Sequence, residues 1–249
     1  MDLIRAQYES CEAYDQDQVQ TAIDILIKID ESKISCHLYY NLFIFFTKLD
    51  NISQATNALD RCLKRDANHA LCHFQLGMIK FVEKDYQGKL QMLISAIIQI
   101  FESAAKTHFS QSYDCLHGHE QIDYRPLNLE MVLHESDITF NLAMCAAYLD
   151  EPADFKGYVV SALETAQDIE RHSSIRMAEK DKYDLGVIVT KYDAIQLSDD
   201  IYRLSKKNKK LLGDMLSQNE LTSLNDGLKS KGNLWPCELR KNKGLTHYE

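Results

Sequence analysis

Apolar and small residues recur in this chain at a spacing of 34. Tyr39, Leu42, Phe43 and Phe46 are followed 34 positions later by His73, Leu76, Gly77 and Lys80. Ala55, Leu59 and Cys62 are followed at the same distance by Lys89, Leu93 and Ala96. Upstream, Ala22 and Leu26 stand 33 residues before Ala55 and Leu59. Downstream, Thr139, Leu142, Ala143, Ala146, Phe155, Val159 and Ala162 repeat the internal spacing, out of phase with the third copy. A period of this size belongs to a helix pair too small to bury its own apolar face, which therefore stacks on copies of itself. Within each copy a small residue on one helix lets a large residue on its partner approach closely.

That spacing and order of sizes is the tetratricopeptide pattern. It predicts an all-α protein, a right-handed superhelix of four repeats at about 3–36, 37–70, 71–101 and 136–169, within a domain covering 1–185. Only nine glycines and three prolines (Pro126, Pro152, Pro236) punctuate the chain, leaving long windows free for helices. Between repeats three and four, residues 102–125 carry Ser, His, Gly and Asp and end before Pro126; they read as a hairpin-like structured loop. A loop of this length persists in a compact domain when it has a task. After Ala162 a further helix is expected to about Tyr183, then an extended, β-branched stretch at 186–190, then a basic helix from about Ser198 to Leu216. Residues 186–217 form a C-terminal helical and extended extension, and 218–249 read as an irregular tail.

The formal charge of −9 argues against a general attraction to nucleic acid. No basic-then-apolar leader and no long apolar run are visible, so neither a secretion signal nor a membrane span is expected. Seven cysteines lie at scattered positions without paired spacing, which suits a reducing, cytoplasmic setting. A phosphate-cradling glycine loop, a nucleophile elbow and a metalloprotease helix are all missing, so the expectation is a non-enzyme without a cofactor or metal. Cys115, His117 and His119, with His108 nearby, could share one face of a strand and offer ligands to zinc. The alternative reading, solvated or partner-facing side chains, is preferred.

Several short stretches carry a resemblance to a known family. They are Arg65-Asp66 leading into Phe74-Gln75-Leu76-Gly77-Met78, then Lys84-Asp85-Tyr86, then Gly118 followed by Ile122-Asp123-Tyr124, and finally Arg171-His172-Ser173. With these the chain resembles the cytosolic activators of the phagocyte NADPH oxidase, the neutrophil cytosol factor 2 and NADPH oxidase activator family. The likeness covers about residues 1–215 and is strongest over 37–175.

The resemblance implies a binding role. In that family the inserted hairpin and the loops between repeats hold the GTP-loaded small GTPase Rac, and a segment beyond the repeats stimulates a membrane-bound flavocytochrome that makes superoxide. It implies GTPase contacts at Cys36, Asp66, Asn68, His117, Gly118, His119 and Asp123. Here Cys36 stands where the family has serine, Asn68 where it has histidine, and His117 and His119 where it has arginine and asparagine. It also implies a candidate activation segment containing Leu204, Lys206, Lys207, Leu212 and Gly213. Its partners would be the GTPase, the flavocytochrome and other cytosolic oxidase subunits, with recruitment from cytoplasm to membrane.

Plainer readings stand beside these. Asp66 can cap the next helix, and Asp123 can close an Asx turn. Asp199 and Asp200 can lead a helix whose later turns carry Arg203, Lys206, Lys207, Lys209 and Lys210, in the order the helix dipole favours; that basic face could instead meet anionic lipid or an acidic partner. A different function class, a co-chaperone adaptor clamping peptides in its concave groove, would use Asn41, Asn141 and Lys80.

Overall fold

The computed structural model describes the backbone of residues 3–86, 94–166, 175–176, 196–197 and 199–215. The chain divides into two compact units, 35–201 and the combination of 1–34 with 202–249. The described residues are mostly helical and fold as consecutive packed helix pairs, the all-α architecture of tetratricopeptide repeats. The expected helix to Tyr183, the extended stretch at 186–190 and the tail at 218–249 lie largely or wholly outside the described residues, as do Arg171, His172 and Ser173.

In the smaller unit α1 (Leu3–Asp15) packs on α2 (Val19–Ile27), burying Ala6, Ala13, Ala22, Ile23 and Leu26. Tyr202 and the residues after it return to this pair. The Tyr202 carbonyl accepts from the Cys11 thiol at 3.6 Å, and Arg203 grips Asp15 with two bonds of 2.6 and 2.8 Å. A helix over Lys206–Met215 then packs on α1. The basic helix thus starts at Lys206, and residues 199–205 are not helical. Ser205 is the reason: its hydroxyl accepts from the Asn208 amide at 3.2 Å, satisfying a first-turn donor. Asp199 and Asp200 therefore do not lead the helix.

In the larger unit α3 (Cys36–Lys48) pairs with α4 (Ile52–Arg65), α5 (Ala70–Tyr86) with α6 (Ile94–Asp114), and α7 (Glu135–Tyr148) with α8 (Pro152–Thr165). Each pair also packs on the next, α4 on α5 and α6 on α7. Ser35 caps α3 through the Leu38 amide and Asn51 caps α4 through the Gln54 amide. Three of the turns within pairs use the same device. Asp17, Asp50 and Asp150 each adopt a positive φ, of 61°, 55° and 57°. Aspartate is one of the few side chains that tolerates this left-handed conformation.

The 34-residue period holds between the first helices of the second and third pairs and fails for the second helix of the third. Cys36 and Ala70, the first residues of α3 and α5, are 34 apart. Ala55, Leu59 and Cys62 of α4 are all fully buried, and their counterparts in α6 are Ala105, Phe109 and Ser112, each sixteen residues later than the period places them. The Ser112 hydroxyl donates to the Ala70 carbonyl at 3.0 Å, and Phe109 meets Phe74 edge-on at 5.4 Å. Gly77 completes the contact. A Cβ there would come within 2.7 to 2.9 Å of three Phe109 ring atoms, so only glycine lets the helices approach this closely. Lys89 and Leu93, the counterparts the period suggests, fall among residues with undescribed backbone.

Two corrections follow. The extra length lies before Ala105 and not in a loop after the third pair, and α6, at 21 residues against 14 in α4, takes up part of it. Residues 102–114 are consequently helix, and the loop expected at 102–125 gives way to a hairpin that follows α6. Its strands are β1 (Gln121–Asp123) and β2 (Val132–His134), antiparallel with Ile122 opposite Leu133.

Candidate functional site

The end of the second pair and the hairpin after the third meet around one histidine. Asp66 follows α4, is exposed, and accepts from the Asn68 amide at 3.2 Å, an Asx turn two residues long. It shapes the connection and does not cap α5. His69 then turns inward, buried between two tyrosine rings: Tyr40 of α3 stacks on it at 6.2 Å and Tyr124 of the hairpin at 5.9 Å. The Tyr124 phenol accepts from the Leu71 amide at 3.3 Å, meeting one of the donors that the first turn of α5 leaves open. Burial pushes the Tyr124 phenol well above its ordinary value, so it remains protonated.

Beneath Tyr124 the hairpin has its own small core of Leu116, Leu129, Met131 and Leu133, all buried. The Tyr124 amide donates to the Met131 carbonyl at 3.0 Å, and Glu135, which opens α7, donates to the Glu120 carbonyl at 2.8 Å. The hairpin is therefore fastened to α5 at its middle and to α7 at its end.

What it shows to solvent is a charged pair. Asp123 accepts three bonds from Arg125: from its backbone amide at 3.0 Å and from Nε and Nη2 of its guanidinium, both at 2.8 Å. The Asx turn expected of Asp123 is present, and a bidentate fork is added to it. The guanidinium holds the Asp123 carboxyl below the usual carboxylate range. Both side chains stay accessible, 35% exposed for Asp123 and 57% for Arg125. The resemblance implies an arginine where His117 stands; Arg125 supplies a fixed, exposed guanidinium eight residues later. No sequence signal singled it out, because an ion pair two residues apart depends on the backbone turning at Tyr124.

The other expected contact residues divide. Cys36 is half-buried at the first residue of α3, close to His69, and Asn68 is exposed beside Asp66. His117 and Gly118 form the left-handed turn after α6, with φ of 51° and 81°, and open space lies where a Gly118 Cβ would point. The imidazoles of His117 and His119 are exposed. Cys115, His117 and His119 are not on a strand: the Leu116 and His117 amides bond back to Tyr113 and Asp114 as the helix unwinds. His108 lies instead on α6, stacked at 6.1 Å on His73. These four are not among the groups of described residues whose ligand atoms converge.

The candidate activation segment is only partly displayed. Leu204 and Leu212 are buried in the smaller unit, whereas Lys206 and Lys207 of α9 (Lys206–Met215), the helix on α1, are exposed; Gly213 lies within it. Asn41 and Asn141 are fully buried and cannot reach for a peptide backbone as a groove clamp requires; the Asn141 amide donates to the Met78 sulfur at 3.4 Å. Lys80 is half-buried.

Burial also lowers the pKa of His69, although Cys36 and Asp66 pull the other way, and it lowers that of His108 beside His73. Below about pH 6.5 the unfolded chain therefore binds protons that the folded chain refuses. Stability is expected to fall as the pH drops from about 7 to 5. Urea midpoints across that range test this, and His69→Phe, which keeps the ring stack, should flatten the dependence.

No family model matches the chain. Over 140 residues, 56% of its length, it is 29% identical to Neutrophil cytosol factor 2 of Homo sapiens, and the match takes in 23% of that protein. It is 25% identical over 139 residues to Neutrophil cytosol factor 2 of Bos taurus, again 23% of that protein. It is 26% identical over 141 residues to the NADPH oxidase activator of Dictyostelium discoideum, 20% of that protein. The aligned stretch thus spans less than a quarter of each of these relatives.

Proposed function

We propose that this chain is a non-catalytic scaffold that docks a GTP-loaded Rac-type small GTPase on its hairpin and on the neighbouring Asp66–His69 connection, and so activates an NADPH oxidase that makes superoxide. The observation that carries the reading is the hairpin itself: a short, exposed element fastened by Tyr124 to the first turn of α5, with a pre-formed Asp123–Arg125 fork on its outer side. A preorganised charged pair of this kind gives orientation and specificity at little ordering cost. The similarity to proteins named Neutrophil cytosol factor 2 and NADPH oxidase activator supports the oxidase part of the proposal. The scaffold would work in the cytoplasm and move to the membrane on activation. Exposed Lys206, Lys207, Lys209 and Lys210 suit contact with anionic lipid headgroups. The flavocytochrome and other cytosolic oxidase subunits would be its remaining partners.

Titration against GTP-loaded and GDP-loaded Rac-type GTPases tests the docking half. Binding near micromolar, about −8 kcal/mol, is expected for the GTP form alone. Asp66→Ala and Arg125→Ala should each weaken it roughly tenfold with helicity unchanged. Asp123→Ala should do more, since it also releases Arg125. Equal affinity for the two nucleotide states would sink the reading. Superoxide production by flavocytochrome membranes tests the other half: it should rise on adding the chain with the GTP-loaded GTPase, and no rise removes the oxidase role.

A further inference from the structure

Three thiols and two imidazoles converge at the junction of the second and third helix pairs. The ligand atoms of Cys62, His69 and Cys72 all lie within 4.8 Å of one another, and so do those of Cys36, His37 and His69. The two groups share His69. The sulfurs of Cys62 and Cys72 approach to 2.8 Å. Cys62, His69 and Cys72 are buried, and Cys36 and His37 are half-buried at the edge.

Packing alone is a poor explanation of this arrangement. A buried thiol normally serves as a small hydrophobe among apolar neighbours. Here polar atoms face one another, with two sulfurs nearer than unbonded sulfurs rest. Donors bound 2.0–2.3 Å from a tetrahedral ion stand roughly 3.3–3.8 Å apart. Small rotations of Cys62 and Cys72 about their side-chain bonds would reach that spacing.

We propose that this cluster is a binding site for a soft divalent cation of the zinc class, held by Cys62, Cys72 and His69, with Cys36 as the fourth ligand. Thiolate and imidazole donors in a dry tetrahedral setting select zinc and disfavour magnesium and calcium. Coordination would expel three thiol protons to solvent, so affinity should climb with pH. The bound ion would tie the start of α3, the end of α4 and the start of α5 together behind the Asp66–Asn68 turn. Chain spacing hides the site: Cys36, Cys62, His69 and Cys72 follow no short paired motif and meet only through the stacking of repeats.

The test uses the full chain under reductant and needs no GTPase, so it stands apart from the docking proposal. Cobalt(II) is titrated in and followed by sulfur-to-cobalt charge-transfer and tetrahedral d–d absorption; zinc is then counted by elemental analysis after dialysis. One equivalent, displaced from cobalt by zinc, is expected. Cys62→Ala keeps a small residue at a repeat position and His69→Phe keeps the ring stack. Each should weaken binding at least tenfold without loss of helicity, and Cys115→Ser should leave it unchanged. Absence of the sulfur-to-cobalt bands would overturn the proposal, as would binding that survives both cluster variants and falls with Cys115→Ser. Zinc-free protein whose Cys62 and Cys72 cross-link on removing reductant would assign the cluster to a disulfide and overturn it equally.

Discussion

Arg203→Ala is expected to destabilise the smaller unit by about 3–5 kcal/mol, because it strands the Asp15 carboxylate in a nearly closed site. Asp15 is only 4% exposed and Arg203 21%, and the guanidinium meets both carboxylate oxygens. An exposed pair of the same geometry would contribute less than about 1 kcal/mol. The wild-type value of the pair itself is smaller than the loss, since much of the penalty is the uncompensated charge. The combined variant Asp15→Leu with Arg203→Met should therefore recover most of the stability. Urea unfolding reads the cost, and hydrogen exchange over 202–215 reads whether the returning segment has come loose. A loss under about 1 kcal/mol would mean that water reaches the pair freely.

Phe109→Ala should cost the larger unit a similar amount, about 3–5 kcal/mol. Phe109 is fully buried against Phe74 and fills the space that Gly77 leaves by lacking a side chain. Neighbouring helices relax only partly into such a hole, so lost contact and residual cavity add. The same geometry predicts strong coupling. Gly77→Ala alone should destabilise by about 1–3 kcal/mol through overpacking, yet added to Phe109→Ala it should restore part of the loss. Additive effects in thermal or urea unfolding would show that the two positions do not share one space.

Much of this fold can be read from the order of large and small residues. Leu42 and Leu76 are both buried at corresponding places in α3 and α5, and Phe155, Val159 and Ala162 are fully buried in α8, because their spacing reports a helix face. The second helix of the third pair escaped the period, since Ala105, Phe109 and Ser112 carry the right sizes at the wrong distance. A repeat count cannot see a lengthened link. The proposed docking edge is half legible. Asp66 and Asp123 were singled out, and each does close a turn, but Arg125 and Tyr124 gain their roles only from the hairpin's backbone. Leu204 and Leu212 belong to the segment that the resemblance marks for activation, while in the folded chain both are buried. The Cys and His cluster was the least visible, being assembled from residues up to 36 positions apart.

The sixteen extra residues of the third pair have a practical consequence. In an antiparallel helix pair the internal link and the outgoing connection lie at opposite ends, here separated by roughly 20 Å of helix. Whatever is grafted between Tyr86 and Ile94 therefore emerges far from Asp66, Tyr124 and the fork on the hairpin. A fluorophore or affinity handle inserted there would report on the protein in a cell while leaving the proposed docking edge untouched.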